Sequence, residues 1–204
     1  MGLATFIGGI HPYEGKELSE SKPVQELTPT SGEMVYPLSQ HIGAPAKPLV
    51  AKGDYVLAGQ KIAEAGGFIS ANVISSASGT VKAIEPRRVP NGSMAMSIVI
   101  ENDGEYKMVE GIGEDRDYTK LSKQEIRDIV KEAGIVGLGG AGFPTHVKLT
   151  PKDDSKIEYV LVNGAECEPY LTSDYRMMLE EPEKIIGGLK IILQLFENAK
   201  GVIG

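Results

Sequence analysis

The run Val50-Ala-Lys-Gly-Asp-Tyr-Val-Leu-Ala-Gly-Gln-Lys-Ile62 sets strand, turn, strand, turn in quick succession. Its turns are Gly53-Asp54 and Gly59-Gln60, dipeptides of the kind that close short strands. Outward from it the pattern repeats. Met34–Leu38, Lys47–Val50, Tyr55–Val56, Lys61–Ala63, Val73–Ser75, Thr80–Ile84 and Ser97–Glu101 are short and rich in β-formers. Gly66-Gly67, Ser78-Gly79 and Asn91-Gly92 mark the breaks between them. Ser75-Ser-Ala-Ser-Gly-Thr-Val81 mirrors the strand entry of the first half. Many short strands at even spacing predict a small sandwich or barrel, here over residues 32–110.

The flanks read differently. Residues 1–31 are rich in Gly, Pro and Ser with weak periodicity, which predicts an extended arm that wraps other structure. Residues 104–120 are acidic and glycine-bearing, and the domain junction is placed there. From 120 onward the pattern turns helical. Ser122-Lys-Gln-Glu125 is a capping box, Ile126, Ile129, Val130 and Ala133 follow at helical spacing, and Gly134 stops the helix. Ile157–Val162 reads as a buried strand, with Thr172 or Ser173 as the cap of a short helix through Leu179. Pro182 opens a longer helix to about Ala199, whose face is Ile185, Ile186, Leu189, Ile192, Leu193 and Phe196. Val202-Ile203 begin another strand, so residues 120–204 predict a βαβ unit of an α/β domain. A chain that stops as a strand begins is expected to be a piece of a longer protein.

Composition excludes several classes. The net charge is -7 and the basic residues do not cluster, which argues against nucleic acid as a partner. One cysteine, Cys167, excludes a disulfide framework or a cysteine-ligated cluster within the chain. His11, His41 and His146 show no metal-ligand spacing, so no metal site is expected. The N-terminus lacks the basic and apolar regions of a signal peptide, and no run is long and apolar enough to span a bilayer.

Two stretches carry chemistry. In Gly137-Leu-Gly-Gly-Ala-Gly-Phe-Pro-Thr-His-Val-Lys148, Gly137, Gly139 and Gly142 satisfy G-x-G-x-x-G. A dinucleotide fingerprint must follow a strand and open a helix. This one follows a helix, and Thr150-Pro151 soon breaks the segment, so the ordinary Rossmann reading loses its context. Two readings stay open. Glycines let backbone N–H groups approach a phosphate or flat ring, with Phe143 as an aromatic face and Lys148 as a cation. The other is a tight structural loop with Phe143 in the core and Lys148 in solvent.

The second stretch, Asn163-Gly-Ala-Glu-Cys-Glu-Pro169, ends a predicted strand, where ligands of open α/β sheets bind. Glu166 and Glu168, two apart, point the same way in an extended segment. An amide and two acceptors suit ribose hydroxyls or a flavin edge; the alternative is a solvated acidic turn. Cys167 lies between carboxylates that disfavour its thiolate, so no nucleophile is expected. His146 is expected to pack in its loop or face solvent, and His11 to belong to a turn. No catalytic side chain is expected.

The sandwich run and Ser78-Gly-Thr-Val81 resemble the biotinyl/lipoyl, or barrel-sandwich hybrid, family. No lysine stands between Lys61 and Lys82, so a prosthetic arm is chemically unavailable. The glycine stretch and Val162-Asn-Gly-Ala-Glu-Cys-Glu-Pro-Tyr-Leu-Thr-Ser-Asp-Tyr-Arg-Met-Met178 together resemble the flavin-domain signatures of the RnfC family, from the Rnf electron-transport complex. That family is similar in turn to the NADH-oxidising flavoprotein subunit of respiratory complex I. The N-terminal segment Phe6–Pro23 and the run His41–Ser70 carry the same resemblance.

The resemblance implies an α+β multi-domain chain. A lipoyl-like all-β domain is followed by the first part of a Rossmann-like domain that binds FMN and NAD(H). By position, Gly137, Gly139, Gly140 and Gly142 form the nucleotide loop and Phe143 stacks near the nicotinamide nucleotide. Lys148 contacts bound nucleotide, Asn163 and Glu166 face the flavin, and Glu168 faces NAD(H). Leu138 stands where the complex I flavoprotein has arginine and Ala165 where it has aspartate, each removing a polar contact. The 4Fe-4S clusters of the family belong to a later cysteine-rich segment. Implied partners are the other Rnf subunits and, indirectly, ferredoxin, on the cytoplasmic side of a bacterial membrane. The implied role is electron transfer between NAD(H) and ferredoxin, with little turnover expected from these residues alone. The alternatives are a related flavoprotein, of the Na⁺-pumping NADH:quinone reductase or hydrogenase diaphorase type, and a non-catalytic scaffold.

Overall fold

A computed structural model describes residues 9–10, 12–138 and 140–204; His11 and Gly139, both singled out above, lie outside the described residues. Its contacts form two units, Leu27–Lys156 on one hand and Met1–Glu26 with Ile157–Gly204 on the other. The architecture is mixed α+β.

In the first unit, seven strands make two antiparallel sheets. They are β1 (Glu33–Pro37), β2 (Lys47–Pro48), β3 (Tyr55–Val56), β4 (Lys61–Glu64), β5 (Val73–Ile74), β6 (Gly79–Arg88) and β7 (Met94–Asn102). The sheet orders are β1-β7-β6-β3 and β2-β4-β5. Val56, Ile62, Val81, Ile98 and Ile100 are all but fully buried in one cluster. Each such side chain contributes about 1.5–3 kcal/mol of burial. The expected strands are present, and β6 and β7 run longer than their apolar stretches. Their register, from Gly79↔Asn102 to Arg88↔Met94, continues past the core into residues with one face in solvent.

A polar clamp closes the end of this unit. Tyr55 donates to Asp103 at 2.6 Å, Ser78 donates to the other oxygen at 2.7 Å, and the Glu105 N–H adds a third bond at 2.9 Å. The Tyr55 hydroxyl, then the Glu105 N–H and Ser78, hold the Asp103 carboxyl down at about 2.

Helix α1 (Lys123–Glu132) begins at the expected capping box. The Ser122 hydroxyl accepts from the Glu125 N–H, and the Glu125 carboxylate accepts from the Ser122 N–H. Its end docks on the second sheet. Lys61 pairs with Glu132 at 2.5 Å, and the buried Asn72 donates to the Lys131 and Glu132 carbonyls at 3.2 and 3.3 Å. Gly134, at φ 65°, approaches so closely that a Cβ would lie 2.5 Å from the Asn72 carbonyl oxygen. These contacts group α1 and the glycine stretch with the sandwich, whereas the sequence reading grouped them with residues 157–204.

In the second unit, β8 (Tyr159–Val162) pairs in parallel with β9 (Lys200–Ile203). Between them lie α3 (Ser173–Glu180) and α4 (Pro182–Leu193). Gly201 lets α4 sit close, since a Cβ there would come 2.8 Å from the Leu189 side chain. Three expectations change. β8 is not buried: Tyr159 and Leu161 are exposed while Val160 and Val162 are half-buried, because α4 covers one face of this two-stranded sheet. α4 ends at Leu193 rather than near Ala199, where three successive i→i+3 bonds tighten the chain and bury Leu195 and Phe196. Thr172 stands at the N-cap of α3 without capping it; its hydroxyl donates to Ser19 at 2.9 Å instead.

Candidate functional site

The glycine stretch is a closed loop. The Gly137 N–H donates to the Phe143 carbonyl at 2.9 Å and the Thr145 N–H to the Ile135 carbonyl at 3.0 Å, on either side of a Val136–Pro144 bridge. Leu138 stands at the tip, 95% exposed. Gly140 and Gly142 both have positive φ, 120° and 59°. A Cβ on Gly142 would lie 2.9 Å from the Gln40 carbonyl oxygen and 3.0 Å from His41 Cα, so this face of the loop admits only glycine. Nothing lies within 4 Å of a Cβ on Gly140, which leaves that side open.

Beyond the loop, Pro144 is buried and opens the single turn α2 (Thr145–Lys148). Arg127 of α1 fastens its far end. Its Nε donates to the Leu149 carbonyl at 2.9 Å, and its Nη2 bridges Asp154 at 2.7 and 2.8 Å. Phe143 is half-buried. Lys148 is exposed and makes no ion pair among the described residues. His146 was missed as a candidate: its Nδ1 is buried with no hydrogen-bond partner among the described residues. Burial, and then the Lys131 charge, push the His146 pKa below the ordinary imidazole value, so the ring is neutral at pH 7. A histidine between a glycine loop and a lysine was the only signal for it in the sequence.

Asn163, Glu166 and Glu168 belong to the other unit. The Asn163 side chain accepts from the Ala165 N–H at 3.1 Å, an Asx turn that bends the chain out of β8. Glu166 and Glu168 do not share a face. The Glu166 side chain is 7% exposed, and its carboxylate accepts from the Asp174 N–H at 2.9 Å and the Ser173 hydroxyl at 3.3 Å. Glu166 therefore does the capping that Thr172 does not. Glu168 and Cys167 are exposed.

In the first unit, the donor set suits a phosphorylated ligand with a flat ring. The first unit offers an open glycine turn, a lysine, an aromatic ring and an unpartnered neutral imidazole. The second offers an amide and an exposed carboxylate, groups that suit hydroxyls. No group of His, Cys, Asp and Glu that could hold a metal occurs among the described residues.

Comparison with known proteins adds the following. The family described as RnfC Barrel sandwich hybrid domain matches residues 4–105, and that described as Nuo51 FMN-binding domain matches residues 130–204. The C subunit of a proton-translocating ferredoxin:NAD⁺ oxidoreductase complex from Clostridium ljungdahlii is 46% identical over 202 residues. These are 99% of this chain and 44% of that protein. The C subunit of a Na⁺-translocating ferredoxin:NAD⁺ oxidoreductase complex from Acetobacterium woodii is 44% identical over 98% of this chain and 45% of its own length. The C subunit of an ion-translocating oxidoreductase complex from Pseudomonas aeruginosa is 40% identical over 99% of this chain and 26% of its own length. The chain thus spans less than half the length of these relatives.

Proposed function

Because this chain belongs to the RnfC family, we propose that it forms the FMN- and NAD(H)-facing part of an ion-translocating ferredoxin:NAD⁺ oxidoreductase. One observation carries the reading: the FMN-binding domain match, residues 130–204, takes in both the glycine loop and the Asn163–Pro169 segment.

Each residue then has a task. The glycine loop from Gly137 to Gly142 lies against the nucleotide, its open side at Gly140 admitting a phosphate or ring. Lys148 neutralises phosphate charge, and Phe143 gives the nicotinamide nucleotide an aromatic wall. Asn163 presents its amide to the flavin and Glu168 its carboxylate to a ribose of NAD(H). Glu166 serves the flavin side by holding α3 and the loop before it. Bound FMN supplies the exchange between a hydride and single electrons, chemistry that belongs to the cofactor. The rest of a Rossmann-like fold and the 4Fe-4S clusters that would accept those electrons are assigned to sequence beyond these residues. No helix among the described residues is long and apolar enough to cross a membrane. In this reading the chain docks on other subunits of the complex, peripherally and on the cytoplasmic side of the membrane.

FMN titration of the intact protein tests this. Quenching of flavin fluorescence is expected, with binding of FMN or NADH weakened about tenfold or more in Lys148→Ala, the loss of one charge-assisted contact. An intact protein that quenches no flavin fluorescence contradicts the reading.

A further inference from the structure

The strongest unassigned cluster lies where the N-terminal arm meets the Asn163–Leu171 loop, within the second unit. The Lys16 ammonium donates to the Leu171 carbonyl at 2.7 Å and to the Glu168 carbonyl at 3.3 Å, and stands 3.8 Å from the Glu166 carboxylate. One cation thus gathers three acceptors from a single loop. The Tyr170 N–H donates to the Glu14 carbonyl at 2.5 Å, and the Ser19 hydroxyl to the Tyr170 carbonyl at 3.2 Å. Tyr170 itself sits at φ 68°, a left-handed conformation that a bulky residue adopts only under constraint. Gly15, at φ 61°, makes room: a Cβ there would fall on the Tyr170 ring.

The constraint has a direction. With its carboxylate shielded, Glu166 needs both the α3 N–H and a cation, since a shielded charge is tolerated only when paired and hydrogen-bonded. Lys16 supplies the cation from the arm. With Glu166 turned inward and the Glu168 carbonyl held by Lys16, the Glu168 side chain is left in solvent. We propose that Lys16 and Glu166 are positioning residues, a clamp from the N-terminal arm that sets the Asn163–Leu171 loop so that Glu168 meets NAD(H). The proposal rests on the nucleotide role given to Glu168 above.

Four variants of the intact FMN-loaded protein test it: Lys16→Met, Lys16→Arg, Glu166→Gln and Glu168→Gln. Amide exchange is followed at Tyr170 and Asp174, whose N–H groups bond to Glu14 and Glu166. The NADH concentration that half-bleaches the flavin is measured on the same samples. Lys16→Met is expected to speed Tyr170 exchange and raise the half-bleaching concentration, each about tenfold, with FMN content unchanged. Lys16→Arg restores both, because a guanidinium also donates to two carbonyls. Glu166→Gln keeps Asp174 protected, its amide oxygen still accepting, while Tyr170 exchange rises. Glu168→Gln raises the half-bleaching concentration and leaves exchange alone. Unchanged exchange in Lys16→Met overturns the clamp. Faster exchange with an unchanged NADH titration, while Glu168→Gln shifts that titration, overturns the positioning role. If Glu168→Gln shifts nothing, the nucleotide role of Glu168 fails and the proposal falls with it.

Discussion

Gly142 is the residue on which the loop's shape turns. Its φ of 59° and the nearness of Gln40 and His41 leave an alanine nowhere to go. Gly142→Ala is expected to cost at least about 1–2 kcal/mol, the ordinary penalty for a left-handed alanine, and to lower FMN content. Thermal unfolding and flavin absorbance of the purified protein check both. Asp103 makes a different prediction. Its folded carboxyl titrates near 2, below its ordinary value, so its stabilising contribution is full above about pH 4 and fades as the pH falls toward 2. Asp103→Asn should flatten the melting-temperature profile between those two values and leave neutral-pH folding cooperative. An identical acid profile in the variant would show that the Tyr55–Asp103–Ser78 clamp does not act. Asp103 is exposed, so the effect is modest.

At the scale of elements, local signals were legible and long-range ones were not. The Ser122–Glu125 box, the Gly134 stop, Pro182 at its helix start and the short strands all rest on neighbours within a few residues, and the structure has them. The cap of α3 was misread because its acceptor, Glu166, stands seven residues before Ser173 and reaches it through a turn. β8 was read as buried from its apolar run; that run cannot tell one covered face from two. The docking of α1 was invisible because Asn72 looks like any turn residue. It ties the β4–β5 turn to α1, its side chain accepting from the Ala65 N–H while donating to Lys131 and Glu132. Asn72→Ala is therefore expected to destabilise this unit by about 1–3 kcal/mol, measured as a lower denaturation midpoint at unchanged slope. A midpoint within error of wild type would mean that α1 is held without it.

For the whole molecule, family boundaries and packing divide the chain at different places. The FMN-binding match starts at residue 130, inside α1, yet α1 and the glycine loop pack within Leu27–Lys156. Residues 27–156 expressed alone should unfold in one cooperative thermal transition, since their core, clamp and helix docking are internal; a broad, sloping melt would contradict that division. The candidate site was legible as two motifs from their residue types. That the glycine loop is pinned by the sandwich, and the second motif by the N-terminal arm, was not, because both depend on partners far away in sequence. The central claim is that this chain carries the flavin and NAD(H) face of an oxidoreductase. Anaerobic addition of NADH to the FMN-loaded intact protein tests it most directly. Bleaching of the flavin absorbance is predicted, with about tenfold more NADH required in Lys148→Ala; a flavin that stays oxidised under excess NADH would contradict the claim.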